Sequence, residues 1–313
     1  MPESPSGTVP ARPPVGQLRR EARLSRRALL LGAASVVGST ALGGAYAALV
    51  EPFWEEWVAV RLDLPGLAPA LVGRRILQLS DLHLSSAGEE AYALRVAEEC
   101  TKRKPDLIVL TGDFVTAGNP ADVERVGRVA SKLRARFGVF ACLGNHDYYD
   151  YTRTLPRSLR YSGIIADRVS AALRGGGVEV LRNAARVVTI DGAALQLVGL
   201  EDWMLGRFNA DAAFKQVDER LPTVALSHNP DSMVELCRRP CHWVLSGHTH
   251  GGQVRMPGIG ALRLPLENKR YDAGLFEENG RRMYVNRGLG HLMRVRFNCR
   301  PEVTEFTLAS RAG

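Results

Sequence analysis

Five short apolar runs in this chain each break off into a cluster of Asp, His, Asn and Gly. Residues 75–80 (RILQLS) end at Asp81-Leu82-His83, and residues 106–111 (DLIVLT) end at Gly112-Asp113. Residues 138–143 (GVFACL) end at Gly144-Asn145-His146-Asp147, and residues 223–227 (TVALS) end at His228-Asn229-Pro230. The last run, 242–246 (HWVLS), ends at Gly247-His248-Thr249-His250-Gly251-Gly252-Gln253. Apolar runs this short, bounded by turn residues, predict strands. Helical spacing over 89–102 and 122–136 separates the first three, which predicts a layered α/β domain. Further strands are predicted over 178–181, 186–190, 194–199, 282–285 and 303–307. Several of these lie too close together for crossover helices, so the sheets are expected to be mixed. Residues 153–178 read as a lid or insertion. Loops beyond strand ends in such a domain converge on one crevice, so the five clusters are expected to share a site.

The residue types in those clusters suit one task. Five of the seven histidines fall in them. Imidazole together with carboxylate favours borderline or hard cations such as Mn²⁺, Fe and Zn²⁺. Asp81 and His83, two apart, can point to the same side and clasp one ion. A single carboxylate, Asp113, can bridge two ions roughly 3.5–4 Å apart. Asn145 offers a neutral oxygen that adds no negative charge against an anionic substrate. Two cations so held would neutralise an anionic substrate and acidify a bound water.

The ordered set D-x-H, G-D, G-N-H-D, H and G-H-x-H resembles the calcineurin-like metallophosphoesterase superfamily over roughly residues 70–310. The resemblance implies a four-layer α/β/β/α sandwich with two mixed sheets. It implies Asp81, His83, Asp113 and His250 as ligands of one metal, and Asp113, Asn145, His228 and His248 as ligands of the second. His146 matches the residue that protonates the leaving oxygen, and Asp147 the acidic neighbour that orients it. Within the superfamily the chain is similar to a bacterial exported and membrane-bound branch of phosphodiesterases and UDP-diacylglucosamine pyrophosphatases. That likeness rests on the Asp81 and His248 motifs, on Gly288-Leu289-Gly290 and on Arg296-Phe297-Asn298-Cys299-Arg300-Pro301-Glu302. Met293-Arg294-Val295 departs from the branch, in which Pro and an aliphatic residue often precede that arginine. A phosphodiesterase or pyrophosphatase acting on a membrane-associated, lipid-linked phosphoester is therefore expected, with a soluble phosphoester as the alternative. Arg287 and Arg296 are candidates to grip a phosphate or anionic head group, with solvated surface positions as the alternative. His242 and His291, outside the strongest motifs, read as structural, with a site-facing His291 beside Gly290 as the alternative.

The N-terminus carries a different signal. Residues 1–27 hold six arginines (Arg12, Arg19, Arg20, Arg23, Arg26, Arg27) against Glu3 and Glu21, a basic lead with a net charge of +4. Residues 28–50 contain no charge and would span about 34 Å as a helix. A twin arginine before a moderately apolar run resembles a signal for the Tat export machinery, and a retained membrane anchor is the competing expectation. Either places the catalytic domain outside the cytoplasmic membrane. Phe53, Trp54 and Trp57 follow where an interfacial aromatic belt would sit, in a linker over 51–73 that leads to a catalytic domain over 74–313. The formal charge of +8 is half concentrated in the lead, so no nucleic-acid partner is expected. The five cysteines show no framework spacing and read as free thiols.

Overall fold

The computed structural model describes residues 26–150 and 163–310. The chain divides into two compact units, Met1–Gly43 and Gly44–Gly313. The described part of the first is helical and belongs to α1 (Arg26–Leu49). Among the described residues no helix is long and apolar enough to cross a membrane. Most of the expected basic lead, residues 1–25, lies outside the described residues, as do residues 153–162 of the expected lid.

The second unit is built on two six-stranded sheets. Its strands are β1 (Glu56–Leu64), β2 (Arg75–Leu79), β3 (Leu107–Thr111), β4 (Val139–Cys142), β5 (Glu179–Val180), β6 (Ala184–Ile190) and β7 (Ala193–Gly199). They continue as β8 (Thr223–Leu226), β9 (Trp243–Ser246), β10 (Arg255–Met256), β11 (Gly260–Ala261), β12 (Gly274–Glu278), β13 (Arg281–Val285) and β14 (Glu302–Ser310). The helices are α2 (Ala87–Lys102), α3 (Pro120–Ala130), α4 (Ile164–Gly175), α5 (Ala210–Phe214) and α6 (Met233–Leu236). One sheet runs β1-β14-β2-β3-β4-β5 and the other β12-β13-β9-β8-β7-β6. Both are mixed: β2, β3 and β4 are parallel while β14 opposes β2, and β7, β8 and β9 are parallel while β6 opposes β7.

Alternation along each strand builds the layers. Ile76, Leu107, Val109 and Phe140 point between the sheets, where they meet Val224, Leu226, Trp243 and Leu245. Leu77, Leu79, Ile108 and Leu110 point the other way, into a core closed by α2, α3 and α4. Val198, Ala225 and Val244 face a third core that includes residues of α5 and α6. The result is the α/β/β/α sandwich expected above. Trp243 is fully buried in the middle layer, and its indole N–H donates to the Asp63 carbonyl at 2.9 Å, tying the second sheet to the end of β1.

Helix starts follow their capping chemistry. The Ser86 hydroxyl accepts from Glu89 N–H, and Asn119 accepts from Asp122 N–H ahead of a first-turn proline. The second helix is shorter than its periodicity predicts. It stops at Ala130 because the chain must turn back to the sheet, where Arg136 and Phe137 N–H bond the Pro105 and Asp106 carbonyls.

Residues 51–73 are not a linker. They carry β1, which pairs in parallel with β14 from Glu56 opposite Glu302 to Leu64 opposite Ser310. A strand with charges on both faces of an edge lacks the clean alternation that periodicity detects. The aromatic residues there also serve the fold. Phe53 packs edge-on against Tyr92 at 5.5 Å, and the Arg103 guanidinium lies 3.7 Å above the Trp57 ring. The described remainder of the expected lid is α4, buried through Ile165, Val169 and Leu173 against the first core.

Replacing Trp243 with Ala leaves a large cavity between the sheets and should lower unfolding free energy by about 3–5 kcal/mol. Trp243→Phe keeps most of the volume and should cost only about 1–2 kcal/mol, mainly the lost hydrogen bond. Denaturant titration of the purified variants measures both.

Candidate metal centre

Asp81 and His83 follow β2, Asp113 follows β3, and Asn145 to Asp147 form a 3-10 turn after β4. His228 follows β8, while His248 and His250 follow β9. The first three clusters therefore come from one sheet and the last two from the other. Asp81, His83, Asp113, His228, His248 and His250 are all buried, and their ligand atoms gather into two groups. Asp81, His83 and His250 form one triad, and Asp113, His228 and His248 form the other, each with its ligand atoms within 4.8 Å of one another.

Asp113 joins the two groups. Its Oδ2 lies 3.4 Å from His83 Nε2 and 3.1 Å from His228 Nε2. Its Oδ1 accepts the His146 N–H at 2.9 Å, which leaves Oδ2 to the cluster. Around it the ring nitrogens crowd closely: His83 Nε2 is 3.1 Å from His250 Nε2, and His248 Nδ1 is 3.2 Å from His228 Nε2. Backbone carbonyls select the ring atoms that face inward. His228 Nδ1–H donates to the Thr111 carbonyl at 2.7 Å, freeing Nε2. His248 Nε2–H donates to the Pro265 carbonyl at 3.0 Å, freeing Nδ1.

This donor set fits a pair of cations. The Asn145 Oδ1 is buried with no hydrogen-bond partner among the described residues, as a ligand oxygen would be. For His83 and His248 the electrostatics agree. Burial pushes His83 down to about 3 and His248 down to about 4, so both present lone pairs. Burial acts to lower His228 too, but the charge of Asp113 overrides it and raises the ring to about 10. Burial raises Asp81 to about 6. Burial would likewise raise Asp113, yet His228 and its neighbours hold that carboxyl well below the usual range. Asp113 thus draws positive charge toward the shared position.

The backbone is strained here. Asp81, His83, Asp113, His248 and His250 adopt left-handed conformations, with φ of 52°, 45°, 56°, 71° and 51°. Such geometry costs of order 1–3 kcal/mol per residue and persists where the surroundings over-determine it. It turns each side chain sharply off its strand end into the common space. Glycines permit the close approach. A Cβ on Gly144 would meet Asp113 N at 2.7 Å and overlap its carboxylate, and one on Gly247 would overlap Ser80 Oγ and Asp81 Oδ2.

Three expected roles change. Asp147 acts through the backbone. Its buried carboxylate accepts from the N–H groups of Asp113, Phe114, Val115 and Gly144, at 2.9, 2.8, 3.3 and 2.9 Å. It pins the loops after β3 and β4 together, and burial raises it to about 7. The His146 ring is held instead by the Thr116 carbonyl, which accepts from Nδ1–H at 2.8 Å.

Arg287 and Arg296 are committed to internal partners and are not free to grip a phosphate. Arg287 pairs with Glu302 at 2.5 Å and Glu56 at 2.9 Å. Arg296 is fully buried, and its guanidinium donates to the carbonyls of Cys299, Arg287, Gly288 and Gly290. This staple holds the loop whose Leu289 and Gly290 N–H groups bond the Ser80 and Asp81 carbonyls. The tail motif thus braces the first ligand from behind. His242 and His291 are structural, as expected: His242 Nδ1 accepts from Thr223 N–H, and His291 lies 3.3 Å from Glu89. The cysteines are free and buried, also as expected.

Sequence reasoning passed over Thr111, Thr116 and Pro265, which act through backbone carbonyls and so carry no side-chain signature. It also passed over Asp202, a buried carboxyl raised to about 6 by burial, which follows β7 as the ligands follow their own strands. Its place just past a strand end was a usable signal.

A calcineurin-like phosphoesterase family profile matches residues 74–252. The chain is 36% identical over 292 residues to phosphodiesterase YaeI of Escherichia coli, covering 91% of this chain and 99% of that protein. It is 33% identical over 297 residues to the uncharacterized metallophosphoesterase YkuE of Bacillus subtilis, covering 92% and 99%. It is 31% identical over 311 residues to UDP-2,3-diacylglucosamine pyrophosphatase LpxG of Chlamydia trachomatis, covering 86% and 94%.

Gly247→Ala should displace Asp81 and reduce bound metal per chain while leaving the fold intact. Metal analysis beside a circular dichroism spectrum checks this; full metal content in the folded variant would contradict it.

Proposed function

Because the chain belongs to the calcineurin-like phosphoesterase family of metal-dependent phosphoric ester hydrolases, we propose that it is a dinuclear phosphodiesterase or pyrophosphatase acting on a lipid-linked phosphoester. The observation that carries the dinuclear reading is the shared Asp113 Oδ2, within 3.4 Å of one triad's histidine and 3.1 Å of the other's. The names of the YaeI and LpxG relatives support the ester class.

In this reading Asp81, His83 and His250 would hold one cation, Asn145, His228 and His248 would hold the other, and Asp113 would serve both. A donor set of nitrogen and oxygen without thiolate suits Mn²⁺, Fe or Zn²⁺. Two such cations, when bound, neutralise phosphate charge and acidify water. His146 supplies the proton for the leaving oxygen. With Nδ1–H held by the Thr116 carbonyl, Nε2 is the atom that carries and releases it. The ring stands edge-on to His83 with centroids 4.9 Å apart, beside the cluster. Asp147 keeps that ring in place by fixing the turn that bears it.

The twin arginine Arg26-Arg27 and the moderately apolar run behind it support export of the catalytic domain through the Tat machinery.

Purified protein should carry about two divalent metals per chain and hydrolyse bis-p-nitrophenyl phosphate. His146→Ala should lower kcat by about 10²–10⁴ with metal content unchanged. Asp113→Asn should lose both metal and activity. Fewer than about two metals together with no hydrolysis of any phosphoester would sink the proposal. For the export reading, replacing Arg26 and Arg27 by Lys should retain the protein in the cytoplasm, as read by cell fractionation; unchanged export would reject it.

A further inference from the structure

Beside the metal centre lies a groove of about 490 Å³ that the chemistry above does not use. Its inner end is Thr249 and His250, and its walls are Val254, Leu262, Pro265, Leu292, Met293 and Val295. Several wall residues face solvent: Leu262 is 60% exposed, Leu292 48%, Met293 71% and Val295 37%. Ile259, on the hairpin joining β10 to β11, is 75% exposed. Isolated exposed apolar residues are ordinary, but a cluster of them beside a polar centre marks a binding surface.

The walls are held firmly. The Gln253 side-chain amide donates to the Met293 and Val295 carbonyls at 2.8 and 2.9 Å, and its oxygen accepts from Leu292 N–H at 3.2 Å. Arg255 N–H and Phe297 N–H complete the join by bonding the Phe297 and Gln253 carbonyls. The backbone of the 292–295 wall is thus satisfied while its side chains stay uncovered. Gln253 is three residues past His250, so groove and metal centre are one connected construction. Arg263 is a cation on the groove, no carboxylate lines it, and no ion pair occupies Arg263 among the described residues.

We infer that this groove binds the acyl or alkyl chain of a substrate whose phosphate sits at the metal centre. Continuity with His250 favours a chain covalently joined to the reacting phosphate over a separate protein partner, which would cover the centre. Apolar walls with one unpaired cation match an anionic phospholipid derivative. The inference rests on the phosphoester reading and deepens it by naming the part of the substrate beyond the phosphate.

Alkyl p-nitrophenyl phosphodiesters test it. Water attacks phosphorus, the bond to the nitrophenyl oxygen breaks, and p-nitrophenolate leaves with an alkyl phosphate as the other product. The octyl ester, used below its micelle concentration, should be cleaved with kcat/KM about tenfold or more above the methyl ester, through a lower KM. Met293→Asp and Leu262→Asp should each remove most of that preference. Val187→Asp, at an exposed position on β6, should leave rates and preference unchanged. Binding of octyl phosphate against methyl phosphate, measured by calorimetry, reads the groove independently of turnover. Equal handling of octyl and methyl compounds, or a preference that survives Met293→Asp, overturns the inference. So does a preference that appears only with phosphatidylglycerol vesicles, which would make the surface a membrane contact. Tighter binding of octyl phosphate with no turnover of any ester would uphold the groove and overturn the phosphodiesterase reading.

Discussion

Asp113 is buried among imidazoles from both sheets, and its one free carboxylate oxygen reaches a histidine of each triad. A buried carboxylate without compensating charge is strongly disfavoured. His228 supplies part of that charge and is itself driven upward by it. The remaining donors, Asp81, His83, His248, His250 and the unpartnered Asn145 oxygen, leave a concentrated, electron-rich space that a pair of dications would satisfy. Much of the surrounding structure serves to hold this costly cluster together.

The holding is done largely by main chain. Carbonyls of Thr111, Thr116 and Pro265 fix the imidazole tautomers, and the Asp147 carboxylate gathers four amides from two loops. Arg296 does similar work on the far side, where its guanidinium collects four carbonyls and steadies the loop against Asp81. Left-handed backbone at five ligand positions is tolerated because these bonds leave no easier conformation.

The apolar groove extends the same construction outward. Gln253, itself left-handed at φ 57°, links the His248–His250 segment to the 292–295 wall. Chemistry at phosphorus and the recognition of what hangs from it would then depend on one continuous stretch of chain. The departure at Met293-Arg294-Val295 falls on that wall, where relatives with different substrates would be expected to differ.

The motif series, with the family resemblance it carries, pointed to the layered α/β class, the strand-end positions of the ligands, and the seven candidate ligands and His146. These were legible because strand periodicity is local, and because metal ligands are side chains whose chemistry is written in residue type. Tertiary structure decided the rest. The strand over 56–64 was hidden because edge pairing with β14 depends on a segment some 240 residues distant. Arg287 and Arg296 were misread, because a guanidinium suits a phosphate and a set of carbonyls equally well, and only packing shows which it meets. Asp147 kept its importance but changed its partner, from a ring to four amides. The groove was invisible for the same reason: Leu262 and Met293 read as ordinary apolar residues until folding leaves them uncovered beside His250.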